Sequence, residues 1–386
     1  MSTEFNCPEP TGQAGREQRG AVAVASSGIA PLEAGRIGPD NTVPEPAPHN
    51  FQEVKGGREW ARHLARYRSP DVRRSARELI VTALPLAVLW LLAWLALGRG
   101  WWWAVLLTVP AAGFLVRLFM IQHDCGHGAF FRNRIANDWV GRAIGVLTLT
   151  PYDHWRRTHA VHHATSGNLD RRGPGAIHVL TVQEYLALPP VRRWLYRLYR
   201  HPSVLFGLAP AFVFLLQNRF PLGFMRAGWR PWISVMGTNL TIAVFLTGGA
   251  WLFGAAPFLL VQGPTLLLAA TIGVWLFYVQ HQFEQTSWAD QQAWDRDEAA
   301  LWGSSYYDLP PLLRWFSANI GVHHVHHLNS RIPFYRLTEV LRDHPQLKAC
   351  GHLSLSESIR SVRLGLWDEA SRRLVPIREV RNHAAD

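Results

Sequence analysis

With 386 residues, 48% of them hydrophobic, the chain is long enough for two or three soluble domains, but its apolar residues gather in runs too long for a soluble core. Its 39 basic and 28 acidic residues give a net charge of +11, yet the arginines are dispersed around the ends of those runs and form no stripe with a nucleic-acid module, so no nucleic-acid partner is implied. Three cysteines, Cys7, Cys125 and Cys350, make neither a C-x-x-C pair nor a disulfide framework, which points to a reduced cytoplasmic setting.

In chain order, residues 1–55 are rich in Pro, Gly, Ala and Ser without periodicity and read as a disordered tail. The tail lacks the apolar core of a cleaved signal peptide, so the first spanning helix is expected to direct insertion. Arg58, Arg62, Arg66, Arg68, Arg73, Arg74 and Arg77 follow, and the positive-inside tendency puts this end in the cytoplasm. Four runs, 79–97, 101–122, 232–253 and 257–280, are each roughly 20 residues long with at most one charge, Arg117, enough to cross a bilayer. Trp101, Trp102, Trp103, Trp229 and Trp232 stand at run ends, as in an interfacial aromatic belt.

Gly98-Arg99-Gly100 is a hairpin tip between the first two runs, and Gly254-Ala255-Ala256 between the last two. The stretch 140–149 is too brief to cross. The stretch 203–217 is apolar but short and contains Pro210; it reads as interfacial or re-entrant, because a crossing there would separate the histidines described next. Residues 334–348 and 354–365 read as amphipathic helices.

Three histidine clusters punctuate this frame: His123 and His127 four apart; His159, His162 and His163; and His323, His324, His326 and His327. On a helix, residues four apart share a face about one turn, 5.4 Å, apart, so two imidazoles reach one metal. The second and third clusters contain H-x-x-H-H, a spacing able to supply two neighbouring ions. A lone histidine is more often structural, but packing requires no such repetition. More ligands are offered than the four of a structural zinc site, so two metals are the economical reading. Imidazole alone does not choose among iron, copper and zinc.

The segments His159–Gly173, Gln280-His281-Gln282-Phe283-Glu284 and Asn319–Pro333, with the three boxes, resemble the integral-membrane fatty acid desaturases, in particular the bacterial acyl-lipid branch, over roughly residues 75–345. The resemblance implies two irons held by His123, His127, His159, His162, His163, His281, His323, His326 and His327, with O2 as co-substrate. His324 falls outside the H-x-x-H-H spacing, and His154 reads as supporting or structural. Asn319 is placed either to hold a metal-bound water or to serve in capping or packing. Metal-bound histidines usually donate their other nitrogen to a carboxylate or carbonyl, and Asp124, Asp170, Glu284 and Asp308 are candidates for that role or ordinary solvated acids.

The expected fold is an all-α membrane protein: four transmembrane helices in two hairpins, with a cytoplasmic helical cap holding a histidine-rich di-iron site. The expected divisions are a tail at 1–55, a membrane domain at 56–345 and a cytoplasmic C-terminal segment at 346–386, both termini lying on the cytoplasmic side of a bacterial inner membrane. The expected activity is insertion of a cis double bond into an acyl chain of a membrane lipid. With no H-P-G-G haem motif and no nucleotide fingerprint, electrons are expected from a separate ferredoxin or cytochrome. A related membrane di-iron hydroxylase or ketolase would share these features, whereas a metal transporter or sensor would want its histidines within the spans.

Overall fold

A computed structural model describes residues 56–173 and 177–383; the 1–55 segment expected to be a disordered tail lies outside them. Among the described residues four helices are long and apolar enough to cross a membrane: Val72–Gly98, Trp102–His127, Trp229–Phe253 and Ala255–His281. We label the first α1 (Val72–Gly98). The Asp71 carboxylate starts it by accepting the Arg74 amide at 2.7 Å, so the helix begins seven residues before its apolar run at residue 79. The second, α2 (Thr108–His127), is entered through a 3₁₀ turn, Trp102–Leu107, and ends where Gly128 takes a left-handed conformation at φ 65° that favours glycine. It therefore carries the first histidine pair on its last turns.

The amphipathic α3 (Arg134–Leu147), capped by the Asn133 side chain, turns the chain into α4 (Tyr152–Thr165), which carries the second cluster. After α5 (Pro190–Arg200) comes a wide helical turn at Ser203–Leu208 and the short α6 (Ala209–Leu215), bent by 58° from α5. The long α7 (Trp229–Phe253) and α8 (Ala255–His281) follow, and α8 delivers His281 at its last residue. The third cluster forms a helix of its own, α9 (His323–Leu328), and α10 (Phe334–Asp343) lies behind it.

At the centre of the bundle α2 packs against α1, α3 and α8. The charge inside the second apolar run is neutralised there: the Arg117 guanidinium pairs with Glu78 of α1 at 2.5 Å, donates to the Trp315 carbonyl and lies 4.0 Å from the Trp315 ring centroid. The contact with Trp315 fastens a segment that precedes the third cluster onto α2, one to two helical turns from His123.

The fold is mostly helical, but two small sheets correct the all-α expectation. One joins β1 (Leu180–Thr181) to β4 (Leu364–Asp368) in parallel and β4 to β5 (Arg373–Pro376) in antiparallel order; the other pairs β2 (Tyr306–Asp308) in parallel with β3 (His352–Ser354). The helix expected over 354–365 shortens to Leu355–Ser361, and the chain then alternates as a strand, burying Leu366 and Trp367. The expected helix over 334–348 breaks at His344 into a 3₁₀ turn, Pro345–Ala349, started by its proline. The expected C-terminal segment, 346–386, makes contacts with the rest of the chain. Beyond the β2–β3 pairing, the Tyr278 hydroxyl donates to the Ser361 carbonyl at 2.8 Å, tying the segment to α8 one turn before His281.

Candidate metal centre

Helix ends α2, α4, α8 and α9 converge, and nine histidines meet there in two groups. His123, His127, His159, His163 and His326 form the first; His162, His281, His323 and His327 form the second; within each group the nitrogens offered lie within 4.8 Å of one another. Helical phase explains the division. Residues i and i+4 differ by about 40° around the axis and stay together, as in 123/127, 159/163 and 323/327. The i+3 member of each H-x-x-H-H box is about 100° from its i+4 neighbour and crosses over: His162 leaves His159 and His163 for the second group, and His326 leaves His323 and His327 for the first. The two groups abut where the His163 and His327 rings stack at 4.1 Å.

The geometry suits cations. In the first group His159 Nε2 lies 3.0 Å from His127 Nε2 and 3.1 Å from His163 Nε2, and His163 Nε2 lies 3.2 Å from His326 Nε2. In the second, His281 Nε2 lies 3.1 Å from both His162 Nε2 and His323 Nε2. Two nitrogens about 2.1 Å from one metal, at right angles to each other, stand about 3.0 Å apart. Each neutral imidazole owns one N–H, so a ring of converging Nε2 atoms cannot all be satisfied by one another, and the buried His327 Nε2 has no hydrogen-bond partner among the described residues. Burial, and then the neighbouring imidazoles, hold His159, His162, His163, His323, His326 and His327 well below the usual histidine range. They are therefore neutral near pH 7, the protonation state that binds metal.

Supporting contacts fix ring orientation. The Gly303 carbonyl lies 3.1 Å from His281 Nδ1, so an Nδ1–H donated there leaves the Nε2 lone pair facing the group. Asp124 Oδ1 lies 3.3 Å from His123 Nδ1, and its other oxygen accepts the Phe334 amide at 2.7 Å. Asn319, at φ 56°, donates to the Phe334 carbonyl at 3.3 Å, so one backbone unit anchors both Asp124 and Asn319. Trp155 stacks on His159 with ring centroids 4.6 Å apart.

The remaining acids considered from sequence sit elsewhere. Asp170 is exposed and accepts the Gln291 amide, Glu284 is exposed, and Asp308 pairs with Arg314 at 2.8 Å. His324 is buried outside both groups, its ring 6.2 Å from that of Tyr306, and burial pushes it down to about 4. Trp155 was findable as the residue four before His159; Gly303 carried no signal, because a backbone carbonyl is not encoded by a residue type.

A cavity of about 490 Å³, within the range that holds an extended ligand, opens onto both groups at His123, His159, His162 and His323. From there it follows α8 past Phe277, Gly273 and Ala270 to Leu266, with Val116 and Phe119 of α2 opposite. Fifteen residues separate Leu266 from His281, about 22 Å of helix.

Residues 100–352 match the family model described as fatty acid desaturase. A "Fatty acid desaturase" of Bacillus subtilis is 42% identical over 325 residues, 84% of this chain and 92% of the relative. The "sn-1 acyl-lipid omega-3 desaturase (ferredoxin)" of a Synechocystis species is 29% identical over 237 residues, 57% of this chain and 61% of the relative. The "sn-1 oleoyl-lipid 12-desaturase" of Anabaena variabilis is 25% identical over 276 residues, 64% of this chain and 72% of the relative.

Proposed function

The chain belongs to the fatty acid desaturase family of membrane oxidoreductases, and from that premise we propose that it inserts a cis double bond into an acyl chain carried on a membrane lipid, with two irons held by the nine histidines and electrons supplied by a separate ferredoxin-like protein. The main support is the cavity: an apolar channel that runs beside the spanning helices and reaches both histidine groups suits an aliphatic chain better than a polar substrate. The acyl-lipid and ferredoxin assignments rest on the names of the Synechocystis and Anabaena relatives.

Bound iron would supply the oxidising chemistry with O2: one hydrogen leaves each of two adjacent methylenes, and these two hydrogens, with two donor electrons and two further protons, would reduce O2 to two waters. The chain's own residues orient and seclude. Phe119 and Phe277 form apolar walls beside the histidines, Trp155 backs His159, and Gly303 and Asp124 set the ring orientations of His281 and His123.

The nine histidines share one end of the bundle, so the chain crosses the bilayer an even number of times between clusters. This parity supports two hairpins, with 203–217 lying in the interface. The arginine-rich segment at the start of α1 supports a cytoplasmic location for that end, in a bacterial inner membrane.

The test is the fatty-acid profile, by gas chromatography with mass spectrometry, of a bacterial host expressing the chain with a ferredoxin system, beside a His162→Ala control. A new unsaturated acyl chain that needs oxygen and disappears in the variant is expected. Hydroxylated products, or no product from inserted, iron-loaded protein given a matched donor, would overturn the assignment.

A further inference from the structure

The cavity is not uniform. Along α8 from Leu266 to Phe277 its lining is apolar, but its other arm is bounded by Thr148, Thr150, His154 and Thr158 from α4 and the loop before it, with Gln217 and Asn218. Contacts join these two walls: Asn218 Nδ2 donates to the Leu149 carbonyl at 3.3 Å, and the His154 and Phe224 ring centroids are 5.9 Å apart. The segment that follows exposes Phe220, Leu222, Met225 and Trp229, the mixture expected where a chain lies in a bilayer interface.

His154 is the unusual member of this arm. It is only 8% exposed, Nδ1 has no hydrogen-bond partner among the described residues, and it belongs to neither histidine group. Burial, and then Arg157, hold it below the usual histidine range, so it is neutral at pH 7 and keeps one N–H to donate. Nδ1 has almost no accessible surface, so the ring can meet a ligand in the cavity only through its other nitrogen, and an N–H on Nε2 can donate there. His154 shares a face of α4 with Thr158 and lies five and eight residues before His159 and His162, about 7.5 and 12 Å along the helix.

We propose that this arm is an acyl-carbonyl subsite, in which the His154 N–H donates to the carbonyl oxygen of the bound acyl chain while the chain's far end lies along α8. The subsite rests on the desaturase reading for its substrate class and adds where the carboxyl end is held. A donor at a set distance from the histidine groups makes the enzyme count methylenes from the carbonyl. The shared chemistry is an acyl carbonyl, from a glycerolipid ester or a coenzyme A thioester.

The test is binding rather than turnover, so its failure is distinct from failure of the desaturase assignment. Full-length protein in nanodiscs is titrated with 1-stearoyl-lysophosphatidylglycerol, its 1-octadecyl ether analogue, which lacks the carbonyl, and stearoyl-coenzyme A. Wild type is expected to bind the ester about tenfold more tightly than the ether, the worth of one hydrogen bond from the His154 ring. His154→Leu should bring the ratio to about one, and His154→Gln, which keeps a donor, should restore part of it. A His154-dependent preference for the thioester over the ester supports the subsite and assigns it to coenzyme A substrates. Equal wild-type binding of ester and ether, or an unchanged ratio in His154→Leu, overturns the proposal. The wild-type ratio decides alone if the leucine variant fails to insert.

Discussion

The two histidine groups are built from the same helical spacings but differ in how much they can lose. The first combines two i, i+4 pairs with the crossing His326, giving five; the second combines one pair with the crossing His162 and with His281, which comes from no box. All four members of the second group are buried, whereas His127, His159 and His163 of the first are half-buried. A five-membered set keeps four ligands when one is removed, and a four-membered set keeps three. Each H-x-x-H-H box serves both groups, so two metals held in this way would be coupled through the backbone of α4 and of α9.

The largest expected effect is in the smaller group. His327→Ala should lower desaturation more than about a hundredfold, beyond the usual cost of losing a supporting partner, and should remove about half of the bound iron. His326→Ala tests the contrast directly: with four ligands left, iron should stay near the wild-type amount at weaker affinity, and activity should fall about tenfold to a hundredfold by product analysis. Equal losses of iron in the two variants would erase the distinction between the groups.

A smaller effect is expected from the supports. Asp124→Asn leaves the Phe334 contact available but weakens acceptance from His123, and should cost about tenfold in iron affinity, measured by competition with a chelator. The mildest is pH dependence of the metal-free protein. Buried histidines whose folded values are depressed, such as His324 at about 4, stay neutral in the fold while the unfolded chain takes up protons below about 6.5. Their contribution to stability is complete above pH 6.5 and is lost as pH falls toward 4, so the apoprotein's melting temperature should drop between pH 7 and pH 5. Iron should blunt that drop, because bound imidazoles resist protonation.

Much of this was legible in residue pattern, since hydropathy and helical phase are both local. The four long helices follow from apolar runs, although α1 starts at Val72 because Asp71 caps a polar first turn that hydropathy does not register. The i, i+3, i+4 spacing predicted that one box could feed two ions, and the observed crossing of His162 and His326 follows that phase. What pattern could not supply was long-range and backbone-borne. The β1–β4 and β2–β3 pairings join residues far apart in the chain through two- to five-residue strands too short to show a period. Likewise, Asp124 was one of four acids equally placed by composition, and what distinguishes it from Asp170, Glu284 and Asp308 is its burial beside His123 Nδ1, where the Phe334 amide holds its other oxygen.

The most direct measurement is iron per chain in the purified, inserted protein, counted by mass spectrometry of the metals for wild type and His327→Ala in parallel. Two irons in wild type and about one in the variant are expected. One iron in wild type, zinc in place of iron, or an unchanged count in His327→Ala would contradict two metals shared between a five- and a four-histidine group.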